Sequence, residues 1–272
     1  MSSNLSFVSS GDLLLSYKKF GQGDEIVVCL HGHGRDPEDF EFLLNDKRTI
    51  ISIVLFHHGQ SFFPEERIEK NPLSQEEFLD LFNSILKKEN ISTFHLVAFS
   101  QGGRFAMIIF QEYFQNVSSV NLISPDGMDN QSFYNRMSRK KWARRLFLKW
   151  EENPKKVITY AKIAKRLNLM RPKVLSFVEK FAKEKDDFRR ASLTWRGFRQ
   201  IQPNEELLKS ILENFDRKFQ IIMGSYDQVI RPKQAYAFAQ RIGKPLCIVE
   251  IPCGHNFFSD KNQKLIEEVM RF

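Results

Sequence analysis

Phe94-His95-Leu96-Val97-Ala98-Phe99-Ser100-Gln101-Gly102-Gly103-Arg104-Phe105-Ala106-Met107-Ile108-Ile109 changes periodicity at its centre. The first six residues are mostly apolar, as in a buried parallel strand, and Phe105 to Ile109 have the apolar density of a packed helix. Between them stands Ser100, with small residues two before (Ala98) and two after (Gly102). Such a setting permits a tight strand-to-helix turn that pushes the serine hydroxyl into the open. The pattern is G-x-S-x-G with Ala98 in the first glycine position, where alanine is sterically tolerable. Ser100 is therefore a candidate nucleophile; an ordinary Ser-Gly turn at a helix start is the plainer alternative.

Outward from this turn, short apolar runs bounded by turn residues recur at Ile26–Leu30, Ile50–Phe56, Val120–Ile123, Phe219–Met223 and Cys247–Ile251. Helical signals lie between them. Asp36-Pro37 reads as an N-cap with a helix-starting proline, Ser74-Gln75-Glu76-Glu77 as a capping box, and further helices are expected from about Gln101, Pro232 and Lys261. This alternation predicts an α/β fold: a mostly parallel, doubly wound sheet covered on both faces. Leu5 to Phe20 alternates weakly, as an antiparallel edge hairpin would.

From Met128 to Gln202 the alternation stops, and Phe147, Trp150, Val157, Tyr160, Ile163, Leu167 and Val174 recur at helical spacing. Three segments are expected: 1–127 and 203–272 as the two parts of a core, and 128–202 as a helical insertion. Lys and Arg number 41 against 33 Asp and Glu over the 272 residues, a formal net charge of +8. The insertion holds 21 of those cations and 7 of the acids, so its balance is +14 and that of the remainder −6. An acidic partner or substrate must then be considered. The cluster Arg139, Lys140, Lys141, Arg144, Arg145 and Lys149 is accompanied by no nucleic-acid module, so nucleic acid is not expected.

With 42% hydrophobic and 27% charged residues, fibrous and disordered classes are excluded. Cys29, Cys247 and Cys253 have neither C-x-x-C nor finger spacing, which argues against a disulfide framework and a structural zinc site. No apolar run reaches the 18 or so residues of a transmembrane helix. Ser6, Ser9, Ser10 and Asp12 interrupt the N-terminal segment, which lacks the pattern of a secretory signal. A cytoplasmic location is expected, and oligomeric state has no signal.

A serine nucleophile needs a base that works near pH 7 and an acid to orient it. Asp227, in Gly224-Ser225-Tyr226-Asp227, and His255, in Cys253-Gly254-His255-Asn256, both follow apolar strands, at the carboxyl ends where parallel sheets gather their ligands. Asp126, just after Ile123, is a rival acid. His31-Gly32-His33-Gly34 follows the strand Ile26–Leu30. A glycine-rich turn there can aim the His33 N–H at a developing oxyanion, with the Gln101 N–H as second donor.

On these residues the chain resembles the alpha/beta-hydrolase superfamily over nearly its whole length. The resemblance implies Ser100 as nucleophile, Asp227 as acid, His255 as base, an oxyanion hole of His33 and Gln101, and a helical cap in the insertion. Gly59-Gln60-Ser61 is similar to the end of the superfamily's D-x-x-G-x-G-x-S turn, with Val54 and His57 in place of its Asp and first Gly. That departure makes His57 and His58 pocket candidates, and His31, Arg144 and Arg145 join them as candidate substrate-binding residues. The implied activity is hydrolysis of a carboxylic ester or related small acyl substrate, anionic in view of the basic insertion, with no metal or organic cofactor. Two alternatives share the fold: a non-catalytic ligand-binding or scaffold protein, and a lyase or acyltransferase using the same triad. Superfamily members with an aspartate nucleophile, the haloalkane dehalogenases and soluble epoxide hydrolases, are excluded by the serine; the largely capless thioesterases fit the insertion poorly.

Overall fold

The structure is a computed structural model and describes residues 4–129, 133–167, 179, 182, 184–270 and 272. Its strands are β1 (Asn4–Ser10), β2 (Leu13–Gly21), β3 (Glu25–Leu30), β4 (Arg48–Val54), β5 (Phe94–Phe99), β6 (Val117–Ile123), β7 (Lys218–Gly224) and β8 (Cys247–Ile251). The α-helices are α1 (Gln75–Lys88), α2 (Gly102–Tyr113), α3 (Phe133–Ser138), α4 (Lys141–Glu152), α5 (Lys155–Arg166), α6 (Lys185–Gly197), α7 (Glu205–Asn214), α8 (Pro232–Ile242) and α9 (Asp260–Val269). Two compact units emerge: Met1–Pro64, Ser74–Asn130 and Ile201–Phe272 form one, Glu65–Leu73 and Gln131–Gln200 the other.

The first unit is built on one sheet in the order β1-β2-β4-β3-β5-β6-β7-β8. β1 and β2 pair antiparallel, as do β2 and β4, and every other pairing is parallel. The two-residue side-chain period sorts β5 onto both faces. Val97 and Phe99 join Val27, Cys29, Phe40, Leu43, Phe257 and Ile266 in one buried cluster. Phe94 on the opposite face meets Phe82 of α1 at 5.6 Å, where Phe78 and Phe105 of α2 also meet, at 4.8 Å.

Local signals act largely as expected. The Ser74 hydroxyl accepts the Glu77 N–H and the Glu77 carboxylate accepts the Ser74 N–H, closing the capping box of α1. Pro232 opens α8 and Gly243 ends it at φ 72°. Two expectations change. Pro37–Leu43 is a 3₁₀ helix without a side-chain cap from Asp36, and Asp39 instead binds Arg35. β4 stops at Val54 rather than Phe56 because the Leu55 N–H leaves the ladder to donate to His31 Nε2, at 3.0 Å.

The second unit contains α3 to α6 and, in addition, Glu65–Leu73, which precedes α1 in the chain. Glu69 holds that segment in place. It pairs with Arg144 at 2.9 Å and with Arg196 at 3.4 Å, while Arg196 also binds Glu151 at 2.7 Å. Arg199 donates to the Ile68 and Glu69 carbonyls, and burial, with Arg144 also opposing its charge, pushes it down to about 10. Phe147 packs on Trp195 at 4.2 Å and Trp150 on Tyr160 at 6.1 Å. Val174 lies outside the described residues.

Candidate active site

The first unit brings Ser100, His255 and Asp227 together from three loops at the carboxyl ends of β5, β8 and β7. Ser100 Oγ and His255 Nε2 are 3.0 Å apart, and His255 Nδ1 is 2.6 Å from Asp227 Oδ2. Both lengths are those of hydrogen bonds, so the imidazole links hydroxyl to carboxylate.

Ser100 sits at φ 48°, a left-handed conformation that costs a non-glycine residue about 1–2 kcal/mol. Neighbouring backbone over-determines it. The Ser100 N–H donates to the Ile123 carbonyl at 3.0 Å, and the Ser100 carbonyl accepts from Gly103 at 2.9 Å and Asp126 at 2.7 Å. The sharp turn brings α2 so close to β3 that a Cβ on Gly102 would stand 2.3 Å from the Leu30 carbonyl oxygen. On Gly32 it would stand 2.6 Å from the Phe99 ring and 3.1 Å from Ser100 Cβ. The turn carrying His33 therefore lies directly against the serine, and Gln101 is the N-cap of α2.

Asp227 is buried, and each of its oxygens has two donors. Oδ2 accepts from His255 Nδ1 and from the Ser124 hydroxyl at 2.6 Å; Oδ1 accepts from the Val229 and Ile230 amides at 2.7 and 3.1 Å. Burial by itself would raise the carboxyl, but the His255 bond and charge, then the Ser124 and Val229 bonds, outweigh it and hold it below the usual aspartate range. Asp126 is occupied differently. Its Oδ2 binds Arg104 Nε and Nη2 at 2.9 and 2.5 Å, and its Oδ1 accepts the Gly127 N–H. None of these bonds involves His255.

The histidine candidates cluster beside the serine turn and serve the backbone. His31 is fully buried; its Nδ1–H donates to Gly32 O at 2.7 Å and its Nε2 accepts from Leu55. Burial pushes this imidazole down to about 4, so it is neutral. Buried His58 packs edge-on against His31, donates from Nδ1 to Phe56 O and accepts the Gly34 N–H on Nε2 at 2.9 Å. These two histidines stitch the 31–34 turn to the 55–58 turn, with both ring nitrogens of each engaged. His57 holds φ 64° where the resembling motif has glycine, and its ring meets Phe63 at 6.1 Å. In the second unit, Arg145 is exposed, whereas Arg144 is buried and paired with Glu69.

Sequence reasoning missed Ser124 and Arg104. Ser124 has φ 41° and ends β6; only its place between a strand and Pro125 sets it apart in the sequence. Among the described residues no cluster of His, Cys, Asp and Glu could hold a metal ion, and no helix is long and apolar enough to cross a membrane.

A family model described as the alpha/beta hydrolase fold matches residues 25–262. The dihydrolipoyllysine-residue acetyltransferase component of the acetoin cleaving system of Cupriavidus necator is 30% identical over 124 residues, 44% of this chain. The match takes in 32% of that protein, so the chain spans about a third of its relative's length. Among solved structures, an esterase from Thermogutta terrifontis is similar with a TM-score of 0.66 at 15% identity, covering 97% of both chains. The thioesterase domain of the curacin biosynthetic pathway gives 0.64 at 16% identity, covering 98% of this chain and 99% of its own. With the family model covering residues 25–262, well over half of its length, the chain belongs to the alpha/beta-hydrolase family.

Proposed function

We propose that this protein is a serine hydrolase that cleaves a carboxylic ester or related acyl substrate through a covalent acyl-enzyme. The observation that carries the reading is the continuous Ser100–His255–Asp227 hydrogen-bonded chain, with the serine on a strained turn. Ser100 Oγ attacks the acyl carbonyl while His255 Nε2 takes its proton. Asp227 keeps the Nδ1–H tautomer and balances the imidazolium that forms. The His33 and Gln101 backbone N–H groups stabilise the oxyanion. Collapse breaks the acyl–oxygen bond, and the leaving alcohol takes the proton from Nε2. A water molecule, deprotonated by His255, then attacks the acyl-enzyme, and the acid leaves as Ser100 regains its proton.

Most of the second unit is inserted in the chain between β6 and β7, as the family's caps are, and we assign it that role. Long-range attraction by its exposed cations makes an anionic acyl substrate the expected one. Transfer of the acyl group to an acceptor other than water is the second reading, favoured by the name of the Cupriavidus necator relative. Labelling by a fluorophosphonate probe tests the nucleophile: the wild type should be labelled and Ser100→Ala should not, with kcat on p-nitrophenyl esters falling by about 10⁶. Equal labelling of both would refute the assignment. Product analysis with added alcohol or thiol acceptors separates hydrolysis from transfer, and parallel thioester, lactone and amide substrates define the acyl class.

A further inference from the structure

Asp227 Oδ2 is shared between two donors, and only one of them belongs to the relay. We propose that Ser124 is a positioning residue that holds the acid of the triad through a hydroxyl donated into the carboxylate oxygen that orients His255. The inference rests on the serine-hydrolase reading above and adds a fourth side chain to it.

Three features of the geometry converge. The Ser124 side chain is completely buried, and its single hydroxyl proton has Asp227 Oδ2 at 2.6 Å against Ile230 O at 3.4 Å, so the carboxylate is the partner. Its backbone is left-handed, at φ 41°, in a residue type that takes this conformation at a cost. The strand end is bent there and secured, because the Ser124 N–H donates to Ile222 O on β7 at 2.7 Å. Ser100 and Ser124 thus stand as two strained serines at the ends of adjacent strands, joined by the Ser100 N–H to Ile123 O bond.

The chemistry follows from what the second donor does. It opposes rotation of the carboxylate about its χ2 axis, which the Val229 and Ile230 amides fix only at the other oxygen. It also draws electron density from Oδ2, so the carboxylate stabilises the imidazolium less than an undonated one would. Of the titratable groups near the carboxylate, the Cys253 thiol is pushed up to about 11 by burial and then by Asp227 itself, and stays neutral in the working range. His255 is the group that registers the change.

The test uses Ser124→Ala and Ser124→Gly, which both remove the hydroxyl, the second also relieving the φ strain, and Ser124→Thr, which restores a donor. With Ala and Gly, kcat should fall about tenfold with KM within twofold of wild type, the loss of one hydrogen bond to a charged group. The acid limb of kcat/KM should move to higher pH. The downfield proton resonance of His255 Nδ1–H should shift in both, and Ser124→Thr should return towards wild type. The resonance needs no turnover: an unlabelled, inactive wild type would sink the serine-hydrolase reading, while a shifted resonance would still support the Ser124 contact. Ala and Gly variants with wild-type kcat, an unmoved acid limb and an unmoved resonance would overturn the proposal, as would a loss confined to melting temperature.

Discussion

Replacing Asp227 by Asn removes a charge and keeps the shape, and the hydrogen bonds around the carboxylate dictate the outcome. All four of its partners donate: His255 Nδ1 and Ser124 Oγ to Oδ2, Val229 and Ile230 amides to Oδ1. An asparagine offers one oxygen and one NH₂, so one pair of donors must face a donor. The backbone amides cannot become acceptors, whereas the imidazole and the hydroxyl can. The amide therefore settles with its oxygen towards Val229 and Ile230 and its NH₂ towards His255. That forces Nδ1 to accept, puts the proton on Nε2 and leaves nothing to take the proton of Ser100. The same tautomer fault in a related triad costs about 10⁴ in kcat, roughly 5 kcal/mol of transition-state stabilisation. Asp126→Asn is the matched control. It weakens the Arg104 pair, in which Arg104 is buried and Asp126 about a quarter exposed, so it should cost about 1–3 kcal/mol of stability and leave kcat near wild type. Steady-state kinetics on a p-nitrophenyl ester, with urea melts of both variants, decide the matter. A nearly silent Asp227→Asn beside a severe Asp126→Asn would refute the assignment and move the acid to Asp126.

Gly102→Ala should abolish soluble folded protein or collapse its melting temperature, because the new Cβ would meet backbone at 2.3 Å, whereas Gly11→Ala, with open space but φ 57°, should cost only about 1 kcal/mol in a urea melt. His31 is neutral when folded and has a folded value near 4 against about 6.5 unfolded. The unfolded chain thus binds the extra proton between those values, and stability should fall by about 3 kcal/mol as pH drops through that window; urea midpoints of wild type and His31→Asn from pH 7 to 4 check this, and parallel curves would remove His31 as the cause. Arg145→Gln should lower kcat/KM for an anionic ester more than for its neutral analogue, with the difference shrinking in added salt, while buried Arg144→Gln should lower the melting temperature instead; equal, salt-independent effects of Arg145→Gln on both esters would leave its charge no part in substrate choice.

Much of this molecule is written in local patterns. Apolar runs of four to seven residues, the Ser74 box and the Pro232 start announce elements whose stability depends on near neighbours, and they place the sheet and its flanking helices. The elbow is equally legible, since small residues around Ser100 are demanded by contacts a few residues away. The order of Ser100, Asp227 and His255 and their places after strands also come from the chain itself. Distances of 3.0 and 2.6 Å between residues 155 and 28 positions apart do not. They depend on the register of β5, β7 and β8, which pairing across the whole sheet sets.

What only the tertiary structure decided is which of several similar side chains does which job. Asp126 and Asp227 both follow strands, and Arg104, four residues beyond the serine on α2, is what takes Asp126. Arg144 and Arg145 are neighbours in one basic cluster, yet one helical position turns the first inward to Glu69 and leaves the second in solvent. Glu65–Leu73 joins the second unit from a distant part of the chain through ion pairs that no periodicity encodes. Hydrogen bonds and ion pairs between buried polar groups are short-ranged and directional, so they select partners only after the backbone has brought candidates within about 3 Å. Hydrophobic patterning is non-directional and nearly local in its demands, which is why it can be read before the fold exists.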